Sequence, residues 1–169
     1  MGKERPGWDE FFMFSAVWAA TRSSCLYFPA GAVIVKDKRI IASGYNGAPP
    51  GIRNCLEIGC RKDKLGIKFS EKGKGVCRGI HAEVNAMDQI ARADLKGATM
   101  YSLYLPCSVC AKEIVGNGLE KVYYVEDYSE PEALTKELFL EGGIKLERFK
   151  LDVEKCFNLV RRVKFWNTE

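Results

Sequence analysis

The segment "ATMYSLYLPCSVCAKEIVGNGLEKVYYVE", residues 98–126, carries the pattern that decides the fold. Its two ends, "ATMYSLYL" and "KVYYVE", are short apolar and aromatic runs of the kind that form strands. Between them, "CSVCAKEIVGNG" begins just after Pro106 and ends at glycines, as helices commonly do. A strand, a helix and a second strand in this order predict a right-handed crossover between parallel neighbours.

The same alternation continues on both sides of this segment. Downstream, "PEALTKELFLEGG" has proline at its start and glycine at its end and predicts a helix, and "IKLERF" predicts a last strand. Upstream, "GAVIVKD" and "KRIIASG" are β-branched runs joined by a polar turn, which predicts a hairpin. Together these elements predict an α/β fold with a mixed five-stranded sheet and helices on both faces.

Three further segments are predicted to be helical. "WDEFFMFSAVWAATRSS" is amphipathic, "HAEVNAMDQIARAD" begins at residue 81, and the tail at 151–166 forms one more helix. The side chains expected to face the core are Phe11, Phe14, Ala16, Val17 and Trp18 in the first helix and Ala82, Ala86, Ile90 and Ala93 in the second. The stretch 45–79 has no sustained period, and a loop of that length in a compact domain needs something to hold it.

Composition indicates a globular protein, with 47% hydrophobic and 28% charged residues in 169 positions. We expect one domain over residues 1–169, with about 150–169 as a C-terminal extension. No apolar run reaches the roughly 20 residues that cross a bilayer, and the charged N-terminus lacks the apolar core of a secretory signal. The net charge of +4 is too weak to predict a nucleic-acid groove. The expected location is therefore the cytoplasm.

Seven cysteines and a single histidine are an unusual combination for a chain expected in the reducing cytosol. Disulfides are uncommon there, so clustered cysteines more often bind metal or take part in catalysis. Cys107 and Cys110 lie three residues apart on the first turn of a predicted helix, so both sulfur atoms project to one side. The positive end of the helix dipole also favours their thiolate forms.

His81, Cys107 and Cys110 would provide three ligands for Zn²⁺ and leave a fourth position for water, as catalytic zinc sites do. Glu83 would lie near the bound water and move its proton to the substrate. Taken alone, the histidine could be a structural residue, the C-x-x-C pair a redox or zinc-knuckle motif, and Glu83 a solvated carboxylate. Taken together, they match the H-x-E…P-C-x-x-C motif of zinc-dependent nucleobase deaminases.

On these residues the chain resembles the deoxycytidylate (dCMP) deaminases of the cytidine deaminase superfamily. The similarity includes "WDEFFM", "GYNGAPPG", "CRGIHAEVNA" and "LPCSVCAKEIVGNGLEKVYY". It implies a three-layer α/β/α cytidine-deaminase-like fold and a hydrolase in which zinc hydroxide attacks C4 of dCMP, releasing ammonia and dUMP. It also implies that Asn46 and the backbone amide of Ala82 hold the base edge. Tyr104 is a candidate for the base pocket, although a turn role for Asn46 and a packing role for Tyr104 remain open.

A second group of thiols has a separate interpretation. Cys25, Cys55, Cys60 and Cys77 could form a closed structural zinc site that holds the long loop, as the resemblance to some dCMP deaminases suggests. Buried free thiols and disulfides are the alternatives. Because the chain has no second histidine, sulfur or carboxylate would have to bind that zinc.

Regulation and assembly are implied only by the resemblance. Related enzymes are often hexamers controlled by dCTP and dTTP, with Mg²⁺ accompanying the triphosphate. The corresponding effector positions are Gly44, Asn46, Gly47 and Arg92. The 5′-phosphate of dCMP needs a cation or backbone amides. The candidates for that contact are Arg22, Arg53, Lys72, Lys74 and Arg78.

Two other functions remain open. One is a deaminase of another nucleotide or of a nucleic-acid base, which the weak net charge disfavours. The other is a non-catalytic, competence-associated protein that uses the deaminase fold for interaction. An intact Glu83 argues against the second, because a purely structural zinc site has no use for it.

Overall fold

The protein is described by a computed structural model over residues 5–68, 76–127 and 133–163. Its centre is a five-stranded sheet with the strand order β2-β1-β3-β4-β5. The first three of these are antiparallel neighbours, and β3, β4 and β5 are parallel. The strands are β1 Gly31–Lys36, β2 Arg39–Tyr45, β3 Thr99–Tyr104, β4 Lys121–Glu126 and β5 Lys145–Arg148. The predicted mixed five-stranded sheet is confirmed.

Helices cover both faces of this sheet. On one face, Phe12, Met13 and Ala16 pack against Val33 and Tyr101. On the other face, alanines and isoleucines of two helices pack against the opposite side of the same strands. The helices are α1 Trp8–Ala20, α2 Cys55–Ile58, α3 Arg61–Lys64, α4 Ala82–Met87, α5 Arg92–Leu95, α6 Ser108–Gly116, α7 Ala133–Glu141 and α8 Val153–Arg161. Within the described ranges, none of them has the length and apolar character needed to span a bilayer.

The predicted hairpin is present, with a two-residue turn. Asp37 and Lys38 have φ values of 50° and 58°, and Lys36 pairs with Arg39 across the turn. Two successive left-handed residues give the turn the twist that flanking strands require. The turn therefore sets the register of β1 against β2.

The predicted inward face of α1 is correct at Ala16 and wrong at Phe11 and Trp18. Phe12, Met13, Ala16 and Ala20 are buried, whereas Phe11 and Trp18 are exposed. The reason lies under the helix, where the ring of Phe12 contacts that of Tyr101 on β3 with centroids 5.4 Å apart. The sequence of α1 is apolar nearly all round, so its period could not select the buried side.

The predicted helix over residues 81–94 was also wrong, since it is two helices. α4 ends at Met87, the residue Ala91 is extended with ψ 144°, and α5 begins at Arg92. Ala82 and Ala86 are buried as expected, but Ala93 is exposed. The break lets Leu95 enter the core and turns the chain into β3. Arg92 therefore does not share a helix with His81.

The predicted tail helix is shorter than expected. It forms α8 over Val153–Arg161, and the part of the prediction beyond residue 163 lies outside the described residues. A side-chain oxygen of Asp152 accepts a hydrogen bond from the backbone N–H of Lys155 and caps the helix start.

The position of α4 is fixed by a close backbone approach at Gly44 on β2. A Cβ atom at Gly44 would lie 2.3 Å from the carbonyl oxygen of Ala82 and 2.4 Å from the nitrogen of Ala86. The side-chain amide of Asn85 also donates a hydrogen bond to the Tyr45 carbonyl at 2.7 Å. These contacts place the beginning of α4 against the end of β2.

We expect Gly44→Ala to lower the free energy of unfolding by roughly 1–3 kcal/mol or more, because the added methyl group overlaps backbone that cannot give way. Gly116→Ala is the matched control, since a Cβ there meets nothing within 4 Å. Thermal unfolding of both variants checks the prediction. Equal melting temperatures for the two variants would show that α4 is free to shift.

Candidate active site

Two helix starts meet at one edge of the sheet. The chain reaches His81 through a backbone bridge in which Ile80 and Gly47 exchange hydrogen bonds of 2.9 and 3.3 Å, and His81 is the N-cap residue of α4. Cys107 is the N-cap residue of α6 and follows the carboxyl end of β3. Functional sites in such sheets commonly lie at the carboxyl ends of parallel strands.

His81, Cys107 and Cys110 present three metal-binding atoms to one point. The Nδ1 atom of His81 is 3.4 Å from Sγ of Cys107 and 3.3 Å from Sγ of Cys110, and the two sulfur atoms are 3.6 Å apart. Tetrahedral zinc requires separations of about 3.8 Å between sulfurs and about 3.6 Å between sulfur and nitrogen. The observed triangle matches both values within a few tenths of an ångström.

The donor set also fits zinc chemically. Two thiolates and one imidazole are ligands that zinc prefers, and three protein ligands leave a position for water or substrate. We searched the described residues for three or more histidine, cysteine or acidic side chains whose ligand atoms all lie within 4.8 Å of one another. His81, Cys107 and Cys110 form such a group. The geometry therefore describes an open, catalytic type of metal centre.

The pKa values of the two thiols shift in opposite directions. The hydrogen bond with Cys110, followed by the contact with His81, lowers the pKa of Cys107 to about 4. The hydrogen bond with Cys107 and burial raise the pKa of Cys110. The thiolate form is thus favoured at Cys107 and disfavoured at Cys110 before any metal binds.

Glu83 lies beside this centre on the first turn of α4. Its side chain is only 7% exposed, and burial raises the pKa of its carboxyl group, whereas the nearby His81 lowers it less. Its carboxyl group is in hydrogen-bond contact with Cys110. A buried carboxyl group with a raised pKa next to a metal position is placed to accept a proton and return it.

A hydrogen bond from outside the predicted motifs supports the second helix start. The hydroxyl of Thr135 on α7 is fully buried and donates to the carbonyl of Pro106 at 3.0 Å. It fixes the backbone immediately before Cys107. Sequence reasoning missed Thr135, because a lone threonine 29 positions away gives no local pattern.

Asn46 makes more contacts than the sequence indicated. Its Oδ1 accepts hydrogen bonds from the Ser23 hydroxyl at 2.6 Å and the Ala30 amide at 2.8 Å, and its Nδ2 donates to the Phe28 carbonyl at 2.7 Å. The left-handed turn considered for Asn46 is wrong, because its φ is not positive. The side chain instead fastens the loop 23–30 to the end of β2.

Tyr104 forms an aromatic pair with Phe28, whose ring centroid is 4.0 Å away at an angle of 34°. Burial raises the pKa of the Tyr104 hydroxyl. The sequence did not single out Phe28. Its backbone N–H donates to Cys25, and its carbonyl accepts a hydrogen bond from Asn46. The first residue of α4, Ala82, is buried between the helix and β2.

Three of the upstream cysteines, Cys25, Cys60 and Cys77, lie near the fourth, Cys55. Burial raises the pKa of the Cys55 thiol, and the nearby thiols of Cys60, Cys77 and Cys25 raise it further. Backbone N–H groups also donate to two of the sulfurs, from Phe28 to Cys25 and from Gly79 to Cys77, each at 3.4 Å. No three of their sulfurs lie within 4.8 Å of one another, although all four residues are described.

The predicted effector residues have packing contacts of their own. A Cβ at Gly47 would lie 2.7 Å from the Ser24 hydroxyl, and the backbone of α4 occupies the space beside Gly44. The guanidinium of Arg92 donates to the Gly116 carbonyl at the end of α6. These packing contacts account for Gly44, Gly47 and Arg92 without a bound effector.

Each of the three described phosphate candidates has a contact of its own. Arg22 lies over the Tyr45 ring at 6.0 Å, and Arg53 pairs with Glu57 at 3.9 Å. Arg78 is close enough to Cys55 to oppose slightly the rise in the pKa of that thiol, which burial causes. Lys72 and Lys74 lie outside the described residues. The described residues thus leave the phosphate contact unassigned.

Comparison with known proteins places this site in a family. The profile of the cytidine and deoxycytidylate deaminase zinc-binding region matches residues 6–126, which include His81, Glu83, Cys107 and Cys110. The chain belongs to the cytidine and deoxycytidylate deaminase family. It is accordingly an enzyme of the hydrolase class with a zinc-binding domain.

Individual relatives extend the similarity beyond the family profile. ComE operon protein 2 of Bacillus subtilis is 37% identical over 95% of this chain and 80% of its own length. The deoxycytidylate deaminase of Mycobacterium phage D29 is 41% identical over 73% of this chain and 98% of its own length. The dCMP deaminase of cyanophage S-TIM5, solved with dCMP and dUMP, is 28% identical over 86% of this chain and 99% of its own, with a TM-score of 0.68.

We expect the metal-free enzyme to react with iodoacetamide at Cys107 at a nearly constant rate between about pH 5.5 and 8. A pKa of about 4 keeps this thiol ionised throughout that range, whereas an ordinary thiol of pKa about 8.5 loses about tenfold in rate per pH unit. Peptide mass spectrometry after chelator treatment measures the rate, with N-acetylcysteine as the reference thiol. Added zinc should block the reaction. A rate that falls in parallel with the reference would contradict the assignment.

Proposed function

We propose that the enzyme hydrolyses dCMP to dUMP and ammonia with one catalytic zinc ion. The observation that carries this proposal is the His81, Cys107 and Cys110 triangle beside the buried carboxyl group of Glu83. The phage D29 relative is a deoxycytidylate deaminase, and the cyanophage dCMP deaminase was solved with dCMP and dUMP. Both support dCMP as the substrate.

When bound, zinc would lower the pKa of a coordinated water to about 7 and so supply the nucleophile at neutral pH. Glu83 then accepts the proton that this water loses. It returns a proton to the amino group at C4, which leaves as ammonia. Burial suits Glu83 to this role, because a raised pKa favours the form of the carboxyl group that holds the proton. No other carboxyl group contacts the triangle among the described residues.

The base would lie between the metal and the loop that Asn46 fastens. The backbone amide of Ala82, at the first position of α4, and the carboxamide of Asn46 would hold the base edge. Ser23 and Ala30 orient that carboxamide by occupying its oxygen, and its nitrogen, which donates one hydrogen to the Phe28 carbonyl, would offer the second hydrogen to the base. The Phe28 and Tyr104 rings would form an aromatic wall of the pocket.

A second, structural zinc held by Cys25, Cys55, Cys60 and Cys77 is part of the same proposal. Its support is that three of these thiols are near enough to Cys55 to raise its pKa, and that two sulfurs accept backbone N–H groups, as zinc-bound thiolates often do. Because the sulfurs do not yet form a tetrahedron, ion binding would have to draw them together. That contraction would order the loop that precedes α4.

Regulation by dCTP and dTTP, a Mg²⁺ ion with the triphosphate, hexamer assembly and a cytoplasmic location also remain proposals. They follow from the family and from the chemistry of a soluble nucleotide substrate. The packing contacts of Gly44, Gly47 and Arg92 give no separate support for an effector site.

One alternative has a specific observation behind it. The Bacillus subtilis relative matches 95% of this chain, and its name records an operon rather than an activity. A protein with this fold could serve interaction instead of catalysis. Glu83 separates the two functions, because only a catalytic site uses a buried carboxyl group that does not bind the metal.

We expect the purified enzyme to consume dCMP in preference to CMP, dCTP and adenosine-containing RNA. Glu83→Gln should keep its zinc and lose at least about 10²–10⁴-fold in turnover, because the proton carrier is gone. Glu113→Gln, at an exposed position on α6, is the matched control. Loss of cytosine absorbance and release of ammonia measure the reaction. Failure to deaminate any cytosine nucleotide would favour a non-catalytic interaction function. Near-normal turnover by Glu83→Gln would show that Glu83 does not transfer the proton.

We expect metal analysis to give about two zinc ions per chain if the upstream thiols form a site, and about one if they do not. Cys77→Ser should then remove one zinc and lower the melting temperature while the catalytic zinc stays. Cys156→Ala, which changes a buried thiol on α8, is the control for loss of a cysteine. A Cys77→Ser variant with full zinc content and unchanged stability would exclude Cys77 from metal binding.

A further inference from the structure

Helix α8 carries an apolar stripe that α1 covers only in part. Its Cys156 is buried, the Phe157 ring meets that of Phe14 edge to face at 5.5 Å, and the Lys155 ammonium lies 3.2 Å from the Glu10 carboxylate. These contacts fix which side of α8 faces α1. The helix lies outside residues 6–126, the part of the chain that the deaminase family profile matches.

The uncovered part of the stripe has the spacing of a helix-pairing seam. Val153, Phe157 and Val160 follow one another at intervals of four and three residues and are 40%, 41% and 52% exposed. On α1, Trp18 lies one turn beyond Phe14 and is 70% exposed, so it extends the same apolar surface. Monomeric proteins seldom leave contiguous apolar patches of more than a few hundred Å² in water.

Charged residues beside the stripe specify its partner. Glu154 lies at the start of α8 and Arg161 lies seven residues later, at the same heptad position and on the same side of the stripe. Asp152 and Arg162 add a further acid before the helix and a further base after it. A second α8 in the antiparallel direction would place Glu154 opposite the other copy's Arg161 twice, whereas a parallel pair would put these flank positions on opposite sides of the seam and form neither pair.

We propose that α8 is an interface with a second copy of this chain. The two helices pack antiparallel about a two-fold axis near Phe157, with their dipoles opposed and their ends joined by two Glu154–Arg161 pairs. Arg161 contacts Asn158 in its own chain at 3.2 Å, and the remaining guanidinium donors serve the second copy. The interface does not depend on the proposed reaction.

The size of the stripe sets the expected strength of this interface. Nine helical residues bury less than the roughly 800 Å² per partner of a standard interface, so the exposed surface of α1 around Trp18 must contribute. Association is therefore expected to depend visibly on protein concentration.

Sedimentation velocity of the full-length enzyme over about 1–100 μM tests the seam. Phe157→Ser should raise the dissociation constant of this contact by at least about tenfold, because it removes the central apolar side chain. Leu140→Ser, at an exposed leucine on α7, is the matched control and should change nothing. Wild-type enzyme that stays monomeric throughout, or Phe157→Ser enzyme that associates as wild type, overturns the proposal.

Charge reversal tests the antiparallel direction with substitutions that leave the core untouched. Glu154→Arg and Arg161→Glu should each weaken association, and the double variant should restore it, because the pairs re-form with opposite sign. Glu137→Arg on α7 is the matched control. Failure of the double variant to recover, with both single variants weakened, overturns the antiparallel arrangement, and no effect of either reversal overturns the interface.

Discussion

The structure depends on bringing three electron-rich atoms within 3.6 Å of one another at the junction of two helices. Without a cation, their lone pairs must share protons, and the pKa values of Cys107 and Cys110 separate in opposite directions as a result. A divalent ion would replace those protons and satisfy all three ligands at once. Because α4, α6 and the end of β3 converge on the same point, binding of the ion would stabilise the fold as well as the site.

The elements around the centre are held by a close backbone approach and by short side chains that donate to backbone carbonyls. Gly44 allows α4 to touch β2, and Asn85 fastens the same helix to Tyr45. Thr135 fixes the turn before Cys107 from α7. A geometry set in this way changes little when substrate enters, which suits a site whose chemistry needs a fixed distance between metal and carboxyl group.

The features that could be predicted from the sequence are those encoded by a few consecutive residues. The strands, the Asp37–Lys38 turn and the H-x-E and C-x-x-C motifs each occupy a few consecutive residues, and so the sheet and the three ligands could be predicted. The errors concern contacts made over long separations. The buried side of α1 is chosen by Tyr101, some ninety residues away, and the break between α4 and α5 is chosen by the burial of Leu95. Neither leaves a local pattern.

We propose that His81, Cys107 and Cys110 hold a metal ion whose fourth position is open to substrate. Replacement of zinc by Co²⁺ would make this position visible, because the absorption of tetrahedral cobalt depends on every ligand. We expect saturating dUMP to shift the visible cobalt bands of the wild-type enzyme. Bands that stay unchanged while dUMP binds would show that the centre is closed to substrate.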